Sequence, residues 1–244
     1  MANRELCGAE GQATGTSDKP GPVIDAILDA LSAENVRRVL DIGCGRGGLA
    51  AALVRRGYAV TGIDPQLAAI NIARRRAPGA VFHCTGAERI PVADRSFGGV
   101  IFLNSLHHIP GPLMRRALKE AWRVLRPSGV LVVVEPLAQG SFFEAMRPVD
   151  DETEVRAQAL EALADIEADA GWTRVRDDVI DRVSRFADVE AFLEYLAEAD
   201  PGRASAITAC RADVSAAFGS MCKTQDGVFV LRQPHLRRVL RKTG

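Results

Sequence analysis

The sequence predicts an α/β domain built on an open, doubly wound, mostly parallel sheet. Three observations carry this expectation. Short apolar runs alternate with segments of helical periodicity five times over residues 36–136. Each run is apolar on both faces, as a strand covered by helices on both sides must be. A glycine cluster, Gly43, Gly45 and Gly48 in "VLDIGCGRGGLA", falls between the first run and the helix after it, where open sheets of this kind bind ligands.

The elements follow in order. Residues 1–22 are rich in Gly, Ser, Thr and Pro, which predicts a flexible N-terminus. "VIDAILDALSA" has apolar residues at 23, 24, 27, 28 and 31, the stripe of an amphipathic helix. "VRRVLDIG" reads as a buried strand, "GLAAALVRRG" as a helix closed by Gly57, and "YAVTGID" as a second strand ending in Asp64. "LAAINIARRR" is a helix, "AVFHCTG" a third strand and "GGVIFLNS" a fourth. "MRRALKEAWRVLR" is a helix stopped by Pro127 and Gly129, before the fifth strand "VLVVVEP".

The last hundred residues have a different texture. "DDETEVRAQALEALADIEADAG", "DVEAFLEYLAEA" and "RASAITACRADVSAAFG" read as helices. "TRVRDDVIDRVSRFA" is a candidate strand and "DGVFVLRQ" a final one. No composition shift marks a boundary, so residues 23–244 are expected to form a single domain. Within it, 137–222 should include a helical region capping the substrate site.

Composition narrows the partners. The 31 basic and 31 acidic residues cancel, which argues against a partner held mainly by charge, such as nucleic acid or an anionic membrane. Cys7, Cys44, Cys84, Cys210 and Cys222 are odd in number and scattered, so neither a disulfide framework nor a metal site is expected. No run approaches the ~18 apolar residues of a membrane span, and the first residues lack an apolar signal core. A cytoplasmic location is expected. The expected partner is a small molecule.

The glycines let the backbone turn tightly and let a ligand approach closely. Asp64, at the end of the second strand, can accept hydrogen bonds from ribose hydroxyls. These features fit a nicotinamide or a nucleoside ligand equally. Asp41 tilts the choice, because a carboxylate facing a pyrophosphate would repel it, whereas a cationic ligand would be attracted. S-adenosylmethionine has an α-ammonium, a sulfonium and no phosphate. The alternative is that Asp41 caps the turn or points away.

"VLDIGCGRGGLA" resembles the first motif of class I S-adenosylmethionine-dependent methyltransferases, in the group that includes the ubiquinone- and menaquinone-biosynthesis enzymes. "VTGIDPQLAAINIAR" is similar to the second motif, "GAERIPVADRSFGGVIFLNSLHHI" to the third and fourth, and "LKEAWRVLRPSGVLVVVEP" to the fifth. The match runs from about residue 36 to 136. The resemblance implies a Rossmann-like, seven-strand sheet, mostly parallel, with an antiparallel last strand and a helical cap or insertion. It implies that Asp41, Gly43 and Gly45 line the methionine moiety and that Asp64 holds the ribose. It also implies that Ala87 and Glu88 border the adenine and that Asn104 lies under the cofactor near the transferred methyl. Two departures stand out. The family often has Gly-Asp-Ala before the adenine, where this chain has Thr85-Gly86-Ala87. It also often has Phe-Asp opening the fourth strand, where this chain has Phe97-Gly98.

His107 and His108 follow the fourth strand, and either is a candidate general base on an acceptor hydroxyl or amine. The plainer alternative is one packed and one solvated ring. Adjacent histidines on a turn do not readily share a metal. Glu135 could contact the acceptor or sit solvated in a loop. Arg147, Arg174, Arg176 and Arg182 could clamp an acceptor anion or pair with surface acids. The basic tail "RQPHLRRVLRKTG" alternates like an edge strand with solvated arginines.

The expected activity is therefore methyl transfer from S-adenosylmethionine to a small-molecule acceptor by in-line displacement, leaving S-adenosylhomocysteine. The alternatives are a carboxy-S-adenosylmethionine synthase-like or carboxyl methyltransferase activity, or a non-catalytic S-adenosylmethionine-binding scaffold.

Overall fold

The computed structural model describes residues 21–169 and 171–243, so most of the N-terminal stretch expected to be flexible lies outside it. The predicted alternation is observed. Helix α1 (Pro22–Ala33) leads into β1 (Arg38–Ile42), α2 (Gly48–Val54), β2 (Ala59–Asp64), α3 (Leu67–Arg76) and β3 (Val81–Cys84). Then come β4 (Phe97–Leu103), α4 (Gly111–Val124) and β5 (Leu125–Pro136). These five strands are parallel, in the order β3-β2-β1-β4-β5. The order reverses between β1 and β4, and the ends of these two strands define the ligand edge.

Alternate residues of each central strand serve opposite cores. On β5, Val130, Val132 and Val134 pack with α1, α2 and α3, while Leu131 and Val133 pack with α4 and α6 (Thr153–Ala168). Helix α4 presents Met114, Ala117, Leu118 and Ala121 to the second core, the i, i+3, i+4, i+7 stripe that its sequence predicts.

The C-terminal part adds α5 (Ser141–Met146), β6 (Trp172–Phe186), α7 (Val189–Ala199), α8 (Ala204–Ala209), α9 (Arg211–Met221), β7 (Lys223–Gln225) and β8 (Val228–Lys242). The region expected to be a helical cap is thus split, because β6 belongs to the main sheet. Strand β8 lies antiparallel between β5 and β6, and three-residue β7 makes an eighth strand beside the expected seven.

The tail is therefore an interior strand and not an edge. Three of its arginines pair with acids of neighbouring elements. Arg237 is buried, bonding Asp178 with two nitrogens and the Ala26 carbonyl with the third. Arg238 meets Asp177 and Glu167, and Arg241 meets Glu34.

Lys242 is also buried. Its Nζ lies 3.6 Å from the centroid of the Trp122 ring and donates to the carbonyls of Trp122 and Leu125, at the C-terminal end of α4. Those carbonyls have no partner within the helix, so the ammonium caps them. Replacing Lys242 with Met should cost about 1–3 kcal/mol and lower the melting temperature by roughly 2–10 °C. An unchanged melting temperature would remove this role.

Pairing of β5 with β8 ends at Pro136 and His235, but the β6–β8 ribbon continues to Phe186 and Phe229. It therefore projects past the ligand edge of the parallel strands. Helices α5, α7, α8 and α9 pack on this projection around Phe142, Phe186, Phe192 and Phe218, with aromatic centroids 5.2–6.5 Å apart. The result is a second, smaller core standing beside the ligand edge.

Candidate active site

The β1–α2 turn forms the floor of the site. Gly43 adopts φ +71°, and a side chain there would collide with Ser105 of the turn after β4. Gly47 adopts φ +75°, and a Cβ there would come 2.9 Å from Ala73 of α3. Gly48, counted as the third glycine of the spacing, simply opens α2 with a negative φ, so Gly47 carries the turn instead. A Cβ on Gly45 would meet nothing, which leaves that position open to a ligand.

Asp41 is buried on β1, and its Oδ2 has no hydrogen-bond partner. Burial first, and the nearby Asp64 second, push its carboxyl up to about 7. Asp64 is also buried. Its Oδ2 accepts the Gly45 N–H at 2.9 Å and its Oδ1 accepts the Gln66 N–H at 2.8 Å. One carboxylate thus ties the two ligand-edge turns together and keeps lone pairs free. Cys44 lies between these acids. Burial and both charges push its thiol far up, which makes it inert.

Asn104 ends β4 at φ +50°, a left-handed conformation that asparagine tolerates. Its Oδ1 is a second buried acceptor without a partner. Ala87, expected to border the adenine, is buried. The Glu88 carboxylate fills the point where a side chain on Gly86 would begin. A surface cleft of about 440 Å³ opens beside β3, lined by Arg74, His83, Thr85 and Arg89.

The turn after β4 is held by Glu135, at the end of β5. Glu135 is buried, neither solvated nor placed in a loop. Its Oε1 accepts the N–H groups of Ser105 and Leu106, each at 2.9 Å. Its Oε2 accepts the His107 N–H at 3.4 Å and pairs with His107 Nδ1. Burial raises the Glu135 carboxyl, but the His107 ring and these N–H groups outweigh it, and its pKa lies below the usual range. His107 is buried and His108 exposed, with ring centroids 4.0 Å apart.

Beyond His107 lies a group that sequence reasoning missed. Glu152 is buried, with one oxygen 3.9 Å from His107 Nε2. That oxygen accepts from Arg156 Nε and Nη2 at 2.9 and 2.6 Å, and the other accepts from Arg203 at 2.6 Å. Arg203 also bonds Asp150 at 2.8 Å. Burial raises the Glu152 carboxyl, but Arg156, His107 and Arg203 bring it below its ordinary value. His235, on β8 nearby, is buried and depressed to about 4, chiefly by desolvation. The spacing of Glu152 and Arg156 by four residues was visible as a helical ion pair. Nothing local indicated that this pair meets His107.

The four arginines considered as an anion clamp do not converge. Arg147 pairs with Glu144, Arg174 with Glu167 and Asp177, and Arg176 with Asp178. Arg182 donates to the Tyr195 hydroxyl. His107, His108 and Glu152 do bring ligand atoms within 4.8 Å of one another, so adjacency does not keep the two rings apart. Two guanidiniums already occupy the Glu152 oxygens, a poor setting for a divalent ion.

The open α/β sheet places a buried, unpaired acid, Asp41, on the central strand where the strand order reverses. Residues 40–133, from β1 into β5, match the family described as "Methyltransferase domain". Over that stretch the chain is similar to methyltransferases. An uncharacterised methyltransferase of Mycobacterium tuberculosis is 34% identical over 138 residues, 54% of this chain and 54% of that protein. A demethylmenaquinone methyltransferase of Renibacterium salmoninarum is 34% identical over 109 residues, 45% of each chain. The chain spans about half the length of the curated relatives it matches. Among solved structures, the 4+2 cyclase SpnF superposes with a TM-score of 0.60 at 23% identity, over 91% of this chain and 80% of that one. That likeness concerns the fold alone. No helix among the described residues is long and apolar enough to cross a membrane.

Proposed function

We propose that this protein transfers a methyl group from S-adenosylmethionine to a small-molecule acceptor. The observation that carries the proposal is the unpaired Oδ2 of buried Asp41, on the strand that leads to an open Gly45; the unpaired Oδ1 of Asn104 follows the end of the neighbouring strand. Buried acceptors without donors are rare. A ligand bearing an ammonium and a sulfonium supplies what they lack. Asp41, Gly43 and Gly45 would hold the methionine end, Asp64 the ribose, Ala87 and Glu88 the adenine, and Asn104 the floor near the methyl. When bound, the cofactor supplies a methyl group already activated by its sulfonium.

The chain's own task is to align the acceptor, exclude water and take a proton. Alignment alone is worth up to roughly 7–11 kcal/mol in favourable cases. Of the two histidines, the geometry favours His107 as base. Glu135 pairs with its Nδ1, and a proton held there would leave the Nε2 lone pair, on the Glu152 side of the ring, to act as base. His108 has no such support. In this reading the aromatic lobe beside the ligand edge covers the acceptor.

Calorimetric titration with S-adenosylmethionine, S-adenosylhomocysteine and NAD tests the proposal. Both adenosyl ligands should bind and NAD should not. Asp64→Ala should abolish binding, and Glu88→Ala should weaken it about tenfold, a loss of one charge-assisted contact. Binding of NAD alone would overturn the assignment.

A further inference from the structure

We propose that the cleft beside β3 is a separate ligand site that takes a phosphorylated small molecule. The inference goes beyond the methyl-transfer reading and does not depend on it. The cleft holds about 440 Å³, within the roughly 300–1,000 Å³ of small-molecule sites. Three of its seven lining residues are basic, Arg74, His83 and Arg89, and none is acidic. Phe82 and Pro91 add an apolar wall. Strand β3 is the edge of the sheet, so the cleft opens directly to solvent.

Charge around the cleft points the same way. From the glycine turn to Pro91, residues 43–91 carry seven arginines and two acids, Asp64 and Glu88. The zero net charge of the whole chain conceals this segregation. Neither acid lines the cleft. Asp64 is given to the N–H groups of Gly45 and Gln66, and Glu88 stands against Gly86. The positive potential of the cleft is therefore not cancelled from within it, and an anion is drawn there.

The basic groups are also held in place. Arg74 donates to the Asn71 side chain and to the Phe82 carbonyl, each at 3.3 Å. Both acceptors are neutral, so the guanidinium is positioned without losing its charge. The Thr85 hydroxyl donates to the Arg89 carbonyl at 3.1 Å, which ties down the loop that carries Arg89. Arg89 meets no carboxylate among the described residues. Basic residues in the last turn of α3 suit the helix dipole, which accounts for Arg75 and Arg76. It does not account for His83 and Arg89, which reach the same cleft from other elements. A guanidinium binds two phosphate oxygens at once, and a phosphate monoester carries enough charge for both arginines. The apolar wall suits the organic part of such a ligand.

The test uses the full chain with isotope-labelled histidine, at fixed pH and ionic strength. The probe is phenyl phosphate, with benzyl alcohol as its neutral match, and His83→Asn assigns the signal. The expected result is a saturable shift of the His83 ring resonances with phenyl phosphate and none with the alcohol, while His107, His108 and His235 stay still. Arg74→Gln and Arg89→Gln should each weaken binding at least about tenfold, and Arg89→Lys should keep part of it. Arg75→Gln removes the same charge outside the cleft and should change binding less than about twofold. The absence of a His83 response overturns the proposal, and so does an equal loss in Arg75→Gln, which would assign the effect to the general field. Equal affinity for inorganic phosphate would replace the phosphorylated molecule with a bare anion and overturn it too. Displacement of phenyl phosphate by S-adenosylhomocysteine would make the cleft part of the cofactor site and overturn its separateness.

Discussion

Asp41→Asn is expected to move cofactor affinity and stability in opposite directions. Affinity for S-adenosylmethionine should fall about 10- to 100-fold, because a charge-assisted partner of the cation becomes neutral. The ligand-free fold should gain a few kcal/mol at pH 8. The Asp41 carboxyl has an ordinary value of 3.8 and lies near 7 in the fold. The folded state therefore holds a proton that the unfolded chain releases. Stability from this group is complete below pH 4 and is lost as pH rises toward and through 7. Asparagine does not ionise, so the variant's advantage should grow over that window. A bound cation should also expel the proton from the wild type. Titrations near pH 6 in buffers of different ionisation heat should then register proton release, and the variant should show none. A variant no more stable than wild type at pH 8 would show that Asp41 is not held against its ionisation.

The second large effect is at Glu135. Glu135→Ala would leave the N–H groups of Ser105, Leu106 and His107 facing a buried void. The expected loss is about 3–5 kcal/mol, with a melting temperature lowered by roughly 10 °C. Glu135→Gln separates fold from chemistry. Its carbonyl oxygen can still accept from the turn, while its NH₂ meets His107 Nδ1 and forces the proton to Nε2. The imidazole tautomer, read by NMR, should reverse, and methyl transfer should fall about 10²- to 10⁴-fold. A Gln variant with wild-type turnover would remove His107 from the role of base.

How much of this was legible in the chain depended on how local each feature is. The cofactor edge is a local object. Asp41, Gly43 and Gly45 lie within five residues of one another, and Asp64 ends the next strand. Spacing and residue type were enough to bring them together, although the turn uses Gly47 where the spacing suggested Gly48. The substitution at Gly86 was visible as a gap, and the Glu88 carboxylate stands against it. Glu135 was placed correctly at the end of β5, but its work could not be read. Whether such a residue faces solvent or clamps a neighbouring turn depends on the strand beside it.

The sequence by itself determined the sheet, the helices on both faces and the end of the sheet that carries the glycine turn. Periodicity and glycine positions act over a few residues and need no distant partner. Only the tertiary structure decided the cluster around His107. His107, Glu152, Arg203 and His235 come from four separate elements, and no repeat or spacing links them. The tail shows the same limit. Its alternation fits an edge strand or an interior one equally, and Arg237 can be buried only because Asp178 lies across the sheet to receive it. A buried charge is stable only beside its partner, and that partner is chosen by the fold.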